Sequence, residues 1–190
     1  AFADFAEKAY FNALPGHRAK DGDVMSYFMT PNQLVASQAA ARTYYPSRLE
    51  VECCQSNGPR ILPIVTEHMV LETGDGGLAV VYYGASDAEA TLSTGETVRV
   101  VQETDYPFDE VVRIEVKVDA GSAEFPLLLR IPGWCKTPRV EVNGSEFSGT
   151  LRAGAWARIE RKWRDGDRIE LRLPMETRVG FWREAAAYVE

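Results

Sequence analysis

The sequence predicts an α + β protein in which a helical first part is followed by an antiparallel β-sandwich. In the first part, apolar residues recur at helical spacing, whereas from Gly77 onward they alternate with polar residues, which is the period of a half-buried strand. Turn sequences such as Asn143-Gly144 and Asp165-Gly166 separate the alternating segments, as they separate the short strands of a sandwich. The predicted divisions are a helical segment at 1–76, a sandwich at 77–178 and a return segment at 179–190.

The composition is that of a folded globular protein. The chain has 190 residues, of which 45% are hydrophobic and 26% charged, so disorder is not expected. Its formal net charge of -7, without a basic stripe, argues against nucleic-acid and anionic-membrane partners. No apolar run approaches the roughly 18 residues needed to cross a bilayer. We therefore expect neither a nucleic-acid nor a membrane partner.

An apolar stripe marks one face of the first predicted helix, which ends at Pro15-Gly16. A stripe this apolar needs other helices to cover it, and no capping residue precedes it. We therefore expect the sequence to come from within a longer helical domain, with the rest of that domain, or another copy of the chain, as its partner. The stripe consists of Phe2, Phe5, Ala6, Ala9, Tyr10, Ala13 and Leu14.

Two weaker elements and a second helix follow. Residues 24–28 are predicted to be extended, and residues 33–42 to be helical by propensity. The second helix is expected to end at Thr73-Gly74, with Pro63 in its first turn or at a kink. Its apolar face consists of Ile61, Leu62, Val65 and Met69.

About seven short strands are predicted after Gly77. The run from Leu78 to Tyr83 suits a buried strand, and residues 181–188 are expected to be helical or irregular. The alternating apolar residues of the other strands are Val98 and Val100, then Val112, Ile114, Val116 and Val118, then Leu127, Leu129 and Ile131, then Val140 and Val142, then Ile169, Leu171 and Leu173.

The pair Cys53-Cys54 is the main concentration of soft-ligand chemistry in the sequence. Adjacent cysteines rarely pair with each other, because a disulfide prefers Cα atoms about 5.5 Å apart while neighbouring residues are about 3.8 Å apart. The pair is therefore interpreted as free thiols, a joint metal site, or a reactive thiol beside its helper; two small buried residues are the alternative. Cys135 makes the count odd, which favours reduced or metal-bound thiols and a cytoplasmic location.

The other candidates have stronger structural interpretations. His17 and His68 are too few and too far apart for a histidine metal site or triad. The acidic residues at 103, 105, 109 and 110 could contain a catalytic carboxylate pair, but such residues usually lie on solvated turns and edges. Trp134, Trp156 and Trp163 suit sugar stacking, although Trp134 and Trp163 stand where a Trp commonly closes a sandwich core.

A series of motifs resembles the β-L-arabinofuranosidase group of glycoside hydrolases, family 127 and its relatives. The helical part contributes Glu7-Lys-Ala-Tyr-Phe-Asn-Ala-Leu14 and Cys53-Cys54 with Asn57. The later part contributes further motifs in order and at sensible spacing. These are Thr104-Asp-Tyr-Pro-Phe-Asp109, Leu129-Arg-Ile-Pro-Gly-Trp-Cys135, Val142-Asn-Gly144, Ile159-Glu-Arg-Lys-Trp163 and Leu171-Arg-Leu-Pro-Met175.

The resemblance implies a fold and a chemistry. It implies the end of an (α/α)6 helical barrel followed by a β-sandwich, and a retaining reaction on a carbohydrate substrate in which a cysteine attacks the anomeric carbon. By this resemblance Cys53 is the nucleophile and a ligand of Zn²⁺, and Cys54 is a second ligand. The remaining zinc ligands and the general acid/base are expected upstream of the 190 residues, so these residues alone are expected to be inactive.

The sequence also departs from the family pattern. Gln55-Ser56 replaces the Pro-Pro of the family, which places the sugar specificity in doubt. Glu50 and Glu52 are interpreted as a charged lead-in to the cysteine loop rather than as ligands. The alternative function is a carbohydrate-binding or scaffolding β-sandwich that has lost catalysis.

Overall fold

The computed structural model describes residues 2–16, 24–26, 44–46, 57–177 and 179. The predicted first helix is present as α1 (Phe2–Lys8), a π-helical turn (Ala9–Ala13) and α2 (Leu14–Gly16), and it reaches the predicted Pro15-Gly16 end. A further helix, α3, covers Ile61–Glu67. The strands are β1 (Val24–Ser26), β2 (Tyr44–Pro46), β3 (Val70–Glu72), β4 (Leu78–Val80), β5 (Ser86–Thr91), β6 (Thr97–Glu103), β7 (Val111–Val118), β8 (Ser122–Arg130), β9 (Arg139–Val142), β10 (Ser145–Glu146), β11 (Trp156–Arg164) and β12 (Asp167–Arg172).

Most strands lie in antiparallel sheets, as the sequence predicts. The larger sheet has the order β10-β9-β12-β7-β6-β5, with every neighbouring pair antiparallel. The smaller sheet has the order β11-β8-β4-β3, and β1 pairs with β2 in a separate two-stranded sheet. One pair, β4 with β8, is parallel. Alternation could not predict this pair, because side chains alternate in the same way in parallel and antiparallel strands.

The two larger sheets share one core. The predicted inward-facing residues Val100, Ile114 and Leu171 of the larger sheet belong to the same buried cluster as Leu127 and Leu129 of the smaller sheet. Full burial of side chains of this size contributes about 1.5–3 kcal/mol each. The alternation seen in the sequence therefore corresponds to burial between two packed sheets.

The chain passes closely over β8 where it enters β4. A Cβ atom on Gly77 would lie 2.3 Å from the carbonyl oxygen of Pro126, so this position has room only for glycine. At the predicted Asn143-Gly144 turn, which joins β9 to β10, both residues have positive φ, 52° and 75°. Positive φ at both central residues is what a type I′ hairpin turn requires.

The second helix is shorter than predicted. It ends at Glu67 rather than Thr73, and Val70–Glu72 instead forms β3, antiparallel to β4. Val70 packs against the core and its strand gains ladder hydrogen bonds, which outweigh a further helical turn. The smaller sheet thus begins before residue 77, the predicted start of the sandwich.

The remaining elements can be compared only in part. β1 agrees with the extended segment expected at 24–28. The helix expected at 33–42 and the segment at 181–188 lie outside the described residues. None of the helices in the described parts of the chain is long and apolar enough to cross a membrane.

Candidate functional site at the junction of the first helix and the sheets

A buried arginine stands at the end of β8. Arg130 is only 4% exposed. Its Nε donates to the carbonyl oxygen of Val81 at 2.5 Å, and its Nη1 donates to Oδ1 of Asp4 at 2.5 Å. Its Nη2 is ion-paired with the carboxylate of Glu7, which is also buried. Burial lowers the pKa of Arg130, and the charge of Asp4 and its hydrogen bond act in the opposite direction.

Both carboxylates come from one face of α1, because residues three apart are neighbours on a helix surface. Each carboxylate also has a second partner. Oδ2 of Asp4 accepts the backbone N–H of Gly133 at 3.2 Å, and Oε1 of Glu7 accepts the hydroxyl proton of Tyr106. The helix is therefore joined to β8, to the turn after β8, and to the loop between β6 and β7.

Aromatic rings surround the ionic cluster formed by Arg130, Asp4 and Glu7. Tyr106 makes edge contacts with Phe11 and with Tyr83, each at 5.8 Å between ring centroids. The hydroxyl of Tyr83 donates to the carbonyl oxygen of Arg130, whose guanidinium lies 5.8 Å from the Tyr83 ring centroid. Burial raises the pKa of Tyr106 above its ordinary value, so its hydroxyl stays protonated and can donate to Glu7.

The cluster is suited to binding and orienting, not to nucleophilic chemistry. Arg130 is ion-paired with both Asp4 and Glu7, and it is enclosed rather than presented to a ligand. Cys135 lies near the two tyrosines and is buried; burial raises the pKa of its thiol, which disfavours the reactive thiolate.

The comparison with known protein families identifies the β-sheet region. Residues 77–175 match the sequence model described as β-L-arabinofuranosidase, GH127 middle domain. The chain belongs to the GH127 family. None of the curated proteins matches the sequence significantly.

Three solved structures resemble this GH127 chain over 92% of its length. A glycoside hydrolase is 26% identical, with a TM-score of 0.77. A GH127 β-L-arabinofuranosidase from Geobacillus stearothermophilus T6 is 29% identical, with a TM-score of 0.78. A GH127 β-arabinofuranosidase is 25% identical, with a TM-score of 0.74. The chain spans only 28–29% of the length of these proteins.

The ionic cluster gathers residues from three of the motifs that carried the family resemblance. Glu7 belongs to the first helical motif, Tyr106 to the motif at 104–109, and Arg130 to the motif at 129–135. Sequence reasoning noted the motifs separately and did not predict that they meet. The available signal was Arg130 itself, a charge that follows three leucines within a buried strand.

The predicted catalytic and metal residues, Cys53 and Cys54, lie outside the described residues, so their roles stay predictions. In the parts of the chain that are described, no group of three or more His, Cys, Asp or Glu residues could hold a metal ion. His17 also lies outside those parts, whereas Nδ1 of His68 is 2.6 Å from the carbonyl oxygen of Ile64, a local contact at the end of α3.

The acidic residues near 103–110 have structural contacts. Oδ1 of Asp109 accepts the backbone N–H of Val111 at 3.1 Å, and the carbonyl oxygen of Asp105 accepts the N–H of Phe108 at 2.8 Å. Glu103 faces Arg113 across the β6–β7 pair. These contacts support the interpretation as turn and edge residues.

The tryptophans divide into a core residue and two surface residues. Trp163 is fully buried and its indole N–H donates to the carbonyl oxygen of Phe125 at 3.0 Å, which confirms the core interpretation. That interpretation was wrong for Trp134, which is 37% exposed; Trp156 is 42% exposed. Trp134 follows the end of β8 in a turn that reaches the surface, so its ring is not enclosed between the sheets.

A groove of about 320 Å³ lies on the outer face of the larger sheet. Its charged side chains include Arg113 and Glu170, which lie 3.7 Å apart, and Arg172 approaches the same Glu170 at 2.7 Å. Paired charges on an open sheet face are typical of a solvated surface. This groove is therefore not favoured as a site.

Proposed function

We propose that the chain is a segment of a retaining glycoside hydrolase that acts on arabinofuranoside-type sugars, with Cys53 as its nucleophile. The observation that carries the proposal is the match of residues 77–175 to the GH127 family. The solved structures that resemble the chain include two GH127 β-arabinofuranosidases, which supports the same substrate class. In this proposal the part of the chain before β3 is the end of an (α/α)6 barrel, and the two larger sheets form its β-sandwich.

Cys53 and Cys54 would hold a zinc ion together with ligands from outside the 190 residues. The donor chemistry fits, because thiolates are preferred ligands of zinc in tetrahedral sites. Bound zinc would lower the pKa of the coordinated thiols and so maintain thiolate at neutral pH.

The proposed reaction has two balanced steps. In the first, the Cys53 thiolate forms a C–S bond to the anomeric carbon while the C–O bond to the leaving group breaks, and that oxygen takes a proton from a general acid outside the 190 residues. In the second, water attacks the same carbon, the conjugate base of that general acid takes the proton of the water, and the C–S bond breaks, returning the thiolate. Two inversions at one carbon retain the configuration.

A second candidate is a carbohydrate-binding or scaffolding protein without catalysis. The observation that favours it is the partial exposure of Trp134 and Trp156, because aromatic faces suit the apolar faces of sugars. The altered residues Gln55-Ser56 are also compatible with a family member that has kept the fold and lost the reaction.

Zinc analysis of the longest natural chain, with thiol titration and an aryl arabinofuranoside as probe, separates these candidates. The wild-type protein should contain stoichiometric zinc and hydrolyse the probe. Cys54→Ser should lower the zinc content, and Cys53→Ala should lower it and abolish hydrolysis. Cys135→Ala is the matched control, because this third cysteine is buried among the sheets; it should keep both properties.

Unchanged zinc content in Cys54→Ser would remove Cys54 from the metal site. Freely titrating Cys53 and Cys54 thiols in a metal-free wild-type protein would contradict the glycosidase proposal and favour the binding candidate. Glycan binding that is lost in Trp134→Ala and Trp156→Ala would then support that second function.

A further inference from the structure

We propose that Arg130, Asp4 and Glu7 form a latch that fixes the orientation of the first helix on the β-sheets. If the chain is part of a glycosidase as proposed above, the latch makes Arg130 a positioning residue that acts through the orientation of the first helix.

The contacts restrain rotation of the helix as well as its position. Asp4 bridges Arg130 and the backbone of Gly133, and Glu7 bridges Arg130 and Tyr106. Arg130 lies in the smaller sheet, and Tyr106 lies in a loop of the larger one. A single contact would leave the helix free to pivot, whereas three attachment points on two sheets restrict both pivoting and sliding.

The arginine is held in place from the side of the sheets. Its Nε binds the carbonyl oxygen of Val81, and its own carbonyl accepts the hydroxyl of Tyr83. Its guanidinium also lies within 5.9 Å of the ring centroids of Tyr82 and Tyr83. The planar fork therefore presents its other N–H groups in a fixed direction, which a flexible ammonium group could not do.

The composition of the helix favours orientation over simple adhesion. Phe2 and Phe5, which could provide apolar burial, are 94% and 76% exposed, whereas the face towards the sheets carries two carboxylates. A buried ion pair is a weak source of stability, because desolvation of its charges offsets their attraction. Its directional hydrogen bonds nevertheless permit few alternative orientations of the helix on the sheets, and the latch acts through this restriction.

The position of the helix matters to the proposed chemistry because Cys53 and the helix belong to the same proposed barrel segment. Reaction rates depend steeply on the placement of reacting groups, and a displacement of about 1 Å can cost roughly 100-fold. An error in helix orientation should therefore lower the rate of bond breaking more than the affinity for substrate.

The test uses Arg130→Met in the full natural chain, with an aryl arabinofuranoside as substrate. We expect kcat to fall by about 10- to 100-fold while KM changes by less than about threefold. Arg130→Lys should be intermediate, because one ammonium group keeps the charge but cannot reproduce the planar fork.

Arg158→Met is the matched control. Arg158 also pairs with two carboxylates, those of Asp75 at 2.8 Å and Glu160 at 2.6 Å, but its side chain is 41% exposed and lies on β11. The Arg158→Met substitution should leave kcat and KM unchanged, because exposed ion pairs contribute little to stability.

Amide hydrogen exchange provides a readout that does not depend on activity. Exchange within residues 2–16 should accelerate at least about tenfold in Arg130→Met and stay unchanged in Arg158→Met, since local protection follows local restraint. If the wild-type protein does not hydrolyse the probe, the proposed function fails and this exchange experiment still decides whether the latch exists.

A folded Arg130→Met variant with wild-type exchange in residues 2–16 would overturn the latch, whatever its kcat. Wild-type kcat together with accelerated exchange would overturn the positioning role. If Arg130→Met does not fold, Glu7→Gln replaces it. The amide keeps the shape of the side chain but loses the charge and one of the two acceptor oxygens that face Arg130 and Tyr106. The same changes are expected at smaller size, and their absence overturns the proposal.

Discussion

Trp163 and Trp156 lie on the same strand, β11, and differ mainly in burial, which makes them a direct test of the packed core. Trp163 is fully buried, its ring centroid lies 6.0 Å from that of Phe125, and its indole N–H is hydrogen-bonded. Replacing a buried Trp with Ala typically costs about 3–5 kcal/mol. Since 1 kcal/mol shifts Tm by about 2–4 °C in a chain of this length, Trp163→Ala should lower Tm by roughly 6–20 °C.

Trp156→Ala is the control, because substitutions at exposed positions usually change stability by less than about 0.5 kcal/mol. Far-UV circular dichroism and urea titration are suitable measurements, since tryptophan fluorescence itself changes in both variants. A Trp163→Ala protein that melts within about 2 °C of the wild type, or a Trp156→Ala protein that loses as much, would refute the assignment of the core.

Two further predictions concern the sheets. Gly77→Ala should destabilise the protein by about 1–3 kcal/mol in urea titration, because its new Cβ would overlap a carbonyl oxygen of β8. Gly74→Ala is the control, since nothing lies within 4 Å of a Cβ at that position. Equal losses of stability in the two variants would contradict the close approach at Gly77. Burial acts to raise the pKa of Asp167, but the Arg164 N–H, the Asn143 amide and nearby arginine charges outweigh it, so the pKa lies below the usual value of an Asp side chain. The stability that this carboxylate contributes is thus complete above about pH 4 and is lost as pH falls through its folded pKa. Asp167→Asn should therefore lose less stability than the wild type as the pH is lowered. Identical dependence of the unfolding free energy on acidic pH in the two proteins would contradict this.

The strands were predictable where inward residues are large and apolar. Val98 and Val100 in β6 and the alternating residues of β7 contrast clearly with their polar neighbours. β5, at Ser86–Thr91, was not predicted, because its alternating positions carry small residues such as Ala88 and Ala90. As an edge strand, β5 buries less of each side chain, so the sequence needs no strong apolar pattern there.

The junction was not predictable, because periodicity reports only local structure. Tyr106 and Glu7 are 99 residues apart in sequence, and Arg130 and Asp4 are 126 apart. The helical period correctly predicted the first helix. The face of that helix that contacts the sheets, however, carries Asp4 and Glu7 rather than the apolar stripe. That other helices cover the apolar stripe that begins at Phe2 stays a prediction.

The latch has a consequence for how this domain could be inherited or transplanted. The stretch that matches the GH127 middle domain, 77–175, contains Arg130 and Tyr106 but neither of the carboxylates that they bind. Cut at those limits, the sheets would retain a guanidinium group without its counter-charges. Grafting them onto a foreign helical domain would therefore require a recipient helix with two acidic residues three positions apart, facing the graft.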